Sequence, residues 1–113
     1  MHELSVMQEI LTIASEHAQA HGARQICRLT LRVGELSGVC PDALRLAFAA
    51  AAGGTPTAAA ELLIDSVPVR CWCAHCQREF APSTSFYECP DCGQLSADVR
   101  QGWELEIAQL EIV

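Results

Sequence analysis

Apolar residues recur at helical spacing near the start of the chain: Leu4, Met7, Leu11, Ala14 and Ala18, with Val6, Ile10 and Ile13 widening the stripe. Steps of three and four residues place them on one helical face. Ser5 with Gln8 fits a capping box and Gly22 a C-terminal stop, so the pattern predicts an amphipathic helix over 5–21, with the first four residues outside it. The period then changes to two. Over 26–33, Cys27, Leu29, Leu31 and Val33 alternate with Arg28, Thr30 and Arg32, the pattern of a half-buried strand with Cys27 inward as a small core hydrophobe. Pro41 suits the first turn of a second helix, Leu44, Phe48 and Ala51 give it an apolar side, and Gly53-Gly54 ends it. A second strand is expected at about 60–67, where Pro68 marks an edge or an end.

From Cys71 to about Gly102, cysteines and turn residues replace this periodicity. Residues 103–113 return to strand character, but in two phases: Trp103, Leu105 and Ile107 against Leu110 and Ile112. A bulge near Ala108-Gln109, or burial on both faces, would reconcile them. The expected fold class is α+β: a small two-helix α/β domain with a short mixed sheet (residues 1–70 and 103–113) plus an inserted four-cysteine, zinc-ribbon-like module (residues 71–102).

Charge narrows the partners. Among 113 residues, seven basic side chains oppose fourteen acidic ones, for a net charge of −7. No segment carries a basic excess, so nucleic-acid backbones and anionic membrane surfaces are poor partners. No run approaches the roughly 20 apolar residues of a membrane span. The opening lacks the basic stretch and cleavage site of a secretory signal, and the expected compartment is the cytoplasm.

Seven cysteines in a reducing compartment point to metal rather than disulfides. Cys73-Ala-His-Cys76 is followed, after twelve residues, by Cys89-Pro-Asp-Cys92-Gly. Each C-x-x-C turn aims two sulfurs at one ion, and two such turns make the closed tetrahedron of structural zinc. Gly93 suits the left-handed residue that follows such a turn. No His-x-Glu motif supplies the base of a zinc hydrolase or deaminase, and four thiolates leave no open position. Cys71 is a competing ligand that two regular knuckles disfavour, and His75 is expected to face solvent. Cys40, before Pro41, stays unassigned.

His2 and Glu3 carry different chemistry. The Met1 amine and His2 backbone nitrogen close a five-membered chelate, the His2 imidazole closes a six-membered one, and Glu3 adds oxygen. Nitrogen-rich sets of this kind suit Ni²⁺ or Cu²⁺. His17 and His21 are four apart, a pair able to clip a metal but better read as a helix flank and a partner of the helix C-terminal dipole.

Met1-His2-Glu3-Leu4-Ser5, then Val33-Gly34-Glu35-Leu36-Ser37-Gly38-Val39, then the Cys73/76/89/92 pairs, resemble the HypA/HybF family of hydrogenase-maturation nickel metallochaperones over the whole chain. The resemblance implies a non-enzymatic carrier of Ni(II) with structural Zn(II). It implies His2 as chief nickel ligand, Glu3 beside it, and Cys73, Cys76, Cys89 and Cys92 on zinc. Its implied partners are a nickel-handling GTPase and the hydrogenase large subunit, with urease accessory proteins in some members. In some relatives a further carboxylate from the loop after the first strand is associated with nickel; the resemblance leaves Cys40, Asp42 or neither in that place here. The alternative is an acidic zinc-ribbon adaptor that binds a partner protein and no nickel.

Overall fold

The computed structural model describes residues 2–83 and 86–113. Helix α1 spans Glu3–Ala20, strand β1 Ile26–Gly34, helix α2 Pro41–Ala51 and strand β2 Glu61–Val67. Short strands β3 (Arg70–Cys73), β4 (Arg78–Phe80) and β5 (Val99–Gln101) follow, and β6 (Leu105–Ile112) closes the chain. Two three-stranded sheets result, one ordered β2-β1-β6 and the other β4-β3-β5. The first is mixed, as expected: β1 runs parallel to β2 and antiparallel to β6.

The helical face of this sheet carries the main core, where Met7, Ile10, Leu11, Ala14 and Ala18 of α1 and Leu44 and Ala47 of α2 meet Leu29, Leu31 and Val33. On the open face Arg28 pairs with Glu61 and Glu111 at 3.2 and 3.3 Å, and Arg32 with Asp65 and Glu106 at 3.9 and 3.4 Å. Exposed pairs of this kind add little stability, but they identify the face as solvated.

Three sequence expectations change. Helix α1 begins at Glu3 rather than Ser5, with His2 as its N-cap residue and no side-chain cap. The Val6 N–H already donates to the His2 carbonyl at 3.0 Å, and Glu3 in the first turn complements the helix dipole. Cys27 is exposed, not inward. The β1–β6 register slips between Ile26 and Arg28, so Cys27 is the unpaired residue of a bulge and Ile26 takes the buried place. Trp103 precedes β6 and is 63% exposed, so it does not share the strand's inner face. The two-phase reading of the last strand is resolved by a second slip. Thr30 faces Gln109 and Leu31 faces Ile107, leaving Ala108 as the extra residue.

The two sheets meet at the turn after β1. Gly34 N–H donates to Glu104 O at 2.7 Å, Leu36 N–H to Gly102 O at 2.7 Å, and Glu35 N–H to Val67 O at 3.0 Å. Leu36 packs against the second core cluster, built from Val69, Cys71, Cys73, Phe80 and Cys89. A methyl on Gly34 would sit 2.0 Å from Gly102 O, so the chains crossing there approach closer than any other residue permits.

Candidate metal sites

Strand β3 ends at Cys73 and β4 begins at Arg78, so the first C-x-x-C turn is the connection of a short antiparallel hairpin. Gln77, directly after Cys76, takes a left-handed φ of 55°, and Gly93, directly after Cys92, takes 76°. The two knuckles therefore turn alike. Gly93 was legible from its lack of a side chain; Gln77 was not, although it holds the same place after the first pair. Cys76 N–H donates to Cys73 Sγ at 3.4 Å, an amide-to-sulfur bond that closes the first turn. An ion pair between Arg78 and Asp91 ties β4 to the second knuckle.

The four sulfurs converge. Cys73 Sγ lies 3.6 Å from Cys92 Sγ, Cys76 Sγ lies 4.0 Å from Cys89 Sγ, and all four lie within 4.8 Å of one another. A tetrahedron with Zn–S bonds of about 2.3 Å has edges of about 3.8 Å. The donors thus fit one zinc ion with little movement. Among the described residues this is the one group of three or more metal-ligating side chains.

Electrostatics agree with an ion's replacing protons. Burial, then contact with the other three sulfurs, pushes the Cys76 thiol up to about 12. The backbone N–H of Cys92 lowers Cys89 despite burial. Cys92 accepts the Gln94 N–H, which opposes ionisation's cost, yet burial and the Cys73 and Cys89 sulfurs raise it on balance. Four adjacent thiols do not ionise together without a cation, so metal binding releases protons. Cys71 is fully buried in the core below, where burial and then Asp98 raise its thiol, and it stands outside the sulfur cluster. His75 is exposed, as expected.

The N-terminal residues lie elsewhere. Met1, whose amine the chelate requires, falls outside the described residues. His2 is exposed at the tip of α1, and its amide nitrogen precedes the helical ladder. Glu3 Oε1 accepts the Cys40 N–H at 3.5 Å, which brings the loop before α2 to the start of α1. Both helices run back against β1, so their N-termini share one end of the domain. Cys40 is the exposed N-cap residue of α2, and Asp42 pairs with Arg45 at 3.1 Å. Glu3 and Cys40 are thus in contact, with His2 next to Glu3 in the chain, and among the described residues the three form no ligand cluster.

The comparisons extend this picture. The family model described as "Hydrogenase/urease nickel incorporation, metallochaperone, hypA" matches residues 1–112. The chain is 47% identical over 113 residues to the hydrogenase maturation factor HypA of Picosynechococcus sp., covering all of both chains. It is 46% identical over 112 residues to that of Chloroflexus aggregans, covering 98% of each. Its fold matches the solution structure of the Ni metallochaperone HypA from Helicobacter pylori, with a TM-score of 0.70, 28% identity, and 100% and 98% of the two chains covered.

Proposed function

The chain belongs to the HypA family of nickel metallochaperones for hydrogenase maturation, which are not enzymes, and on that premise we propose that it takes up Ni(II) through Met1, His2 and Glu3. The observation that supports this most is the position of His2. Its carbonyl is committed to Val6, but its amide nitrogen is free of the helix, so deprotonating that nitrogen onto a metal breaks no helical bond.

The positive end of α1 disfavours a bare cation there. A deprotonated amide and the Glu3 carboxylate offset it, and Glu3 is shared with the Cys40 N–H at the start of α2. An exposed set whose carboxylate has a competing donor binds and lets go, which is what cargo requires. Zinc belongs to the opposite regime. Cys73, Cys76, Cys89 and Cys92 close its shell, and binding in small modules supplies folding free energy of about 10–16 kcal/mol. In this reading residues 1–70 and 103–113 handle nickel, and 71–102 form the zinc module.

The recipients are a nickel-handling GTPase and the large subunit of [NiFe]-hydrogenase, with urease accessory proteins as further clients, all in the cytoplasm. Among the described residues no helix is long and apolar enough to cross a membrane. The test is nickel titration of untagged chain against chain acetylated at the N-terminus. Acetylation removes the amine and no side chain, so it is expected to weaken nickel binding with zinc content unchanged. Equal binding by both forms overturns the N-terminal site, and absence of binding by either favours the adaptor.

A further inference from the structure

At the other end of α1, His17 lies in the last turn and His21 is the C-cap residue. Their ring centroids are 4.7 Å apart with the planes inclined by 37°. Two imidazoles on one divalent ion, each nitrogen about 2.1 Å from the metal and each ring centre about 3.2 Å away, stand roughly 4.5–5.2 Å apart for bond angles between square and tetrahedral. The observed spacing falls in that interval. A contact between His21 Nδ1 and the His17 carbonyl at 2.9 Å, with Nδ1 as donor, leaves His21 Nε2 as a free lone pair.

We propose that His17 and His21 form a second, weaker metal site for an imidazole-preferring divalent ion such as Ni²⁺ or Cu²⁺. Three features of the surroundings favour a cation here. The pair sits at the negative end of the α1 dipole, opposite in sign to the end that carries His2. Helix α1 bears Glu3, Glu9 and Glu16 and no arginine. Both rings line a groove of about 430 Å³ between α1 and β6, whose walls include Ile13, Ile107 and Leu110 and no arginine. Ala108 and Gln109, at the bulge of β6, line the same groove, so the backbone there reports on an ion bound to the pair. Two imidazoles fill only part of a shell, so the ion keeps exchangeable positions. Fifteen residues of helix separate His2 from His17, about 22 Å, so the two sites do not share an ion. No atom of the N-terminal chelate takes part in this second site, so either site can fail without the other.

The test is Ni²⁺ titration of the zinc-loaded, untagged chain, following imidazole and backbone resonances by NMR, in the parent, His2→Ala, His2→Ala/His17→Ala and His2→Ala/His21→Ala. In His2→Ala, paramagnetic broadening is expected to centre on His17, His21 and Gln109. Removing either histidine from that background is expected to weaken the remaining binding at least about tenfold, because the second imidazole binds intramolecularly. Folding is read from the unaffected β1 resonances, and both histidines are exposed. If His2→Ala shows no broadening near His17 and His21, or if the double variants bind as well as His2→Ala, the second site is wrong while the N-terminal one survives. If His2→Ala binds as tightly as the parent and both double variants lose binding, the second site holds and the N-terminal one fails.

Discussion

Replacing Gly34 by alanine adds one methyl at the junction of the two sheets. That carbon would lie 2.0 Å from Gly102 O, 2.3 Å from Gly102 C and 2.8 Å from Glu104 N, all backbone atoms. An ordinary carbon–oxygen contact is above 3 Å, so the crossing chains must separate by more than an ångström. Separation stretches two bonds made there, Gly34 N–H to Glu104 O and Leu36 N–H to Gly102 O, both 2.7 Å. Overpacking typically costs about 1–3 kcal/mol, and with no flexible side chain to yield, the upper end applies. A loss of about 3 kcal/mol in a chain this size corresponds to a drop in Tm of roughly 10–20 °C. Gly22→Ala is the control, since its φ is +72° but nothing lies within 4 Å of the added carbon, leaving only left-handed strain of about 1 kcal/mol. Urea and thermal unfolding of the three zinc-saturated proteins provide the comparison. Gly34→Ala as stable as the parent, or more stable than Gly22→Ala, would refute this account of how the sheets are joined.

The purified chain should carry about one zinc, and Cys92→Ala should release it and expose amides of residues 71–102 to hydrogen exchange before those of α1 and β1; retained zinc with unchanged protection contradicts the ligand set. Glu104 is held below the usual carboxylate range by its own N–H and then that of Gly102, whose N–H donates to its Oε1 at 2.8 Å. Its stabilisation is therefore present above the unfolded carboxylate value and lost as pH falls through the lower folded one. Glu104→Gln should flatten the acid limb of urea midpoint against pH, and an identical limb argues against this role. Association with the GTPase proposed as partner should weaken with added salt, given the net charge of −7; salt-independent affinity measured by calorimetry points instead to an apolar surface.

Much of this molecule was legible because its signals are local. Helical spacing located α1 and α2, and Pro41 marked the first residue of α2. The conflict of phase between Ile107 and Leu110 announced the bulge at Ala108. The cysteine pairs announced their own convergence. What was illegible depends on partners distant in sequence. Cys27 fits the alternation of β1, and only its pairing with β6 displaces it outward. Ser5 and Gln8 look like a capping box, yet the chain is already helical at Glu3. Gly34 and Leu36 read as a turn, while their role is to meet Gly102 and the zinc-module core. The approach of Cys40 to Glu3 likewise follows from topology, since α1 and α2 start at the same end of β1.

The central claim is that nickel is held by the first residues and by nothing else at comparable affinity. Its most direct test is isothermal titration of the untagged, zinc-loaded chain with Ni²⁺, for the parent and His2→Ala, alongside metal analysis. The account predicts one tight nickel per parent chain, loss of that tight site in His2→Ala, and the same single zinc in both. Tight nickel binding of unchanged affinity in His2→Ala would contradict it.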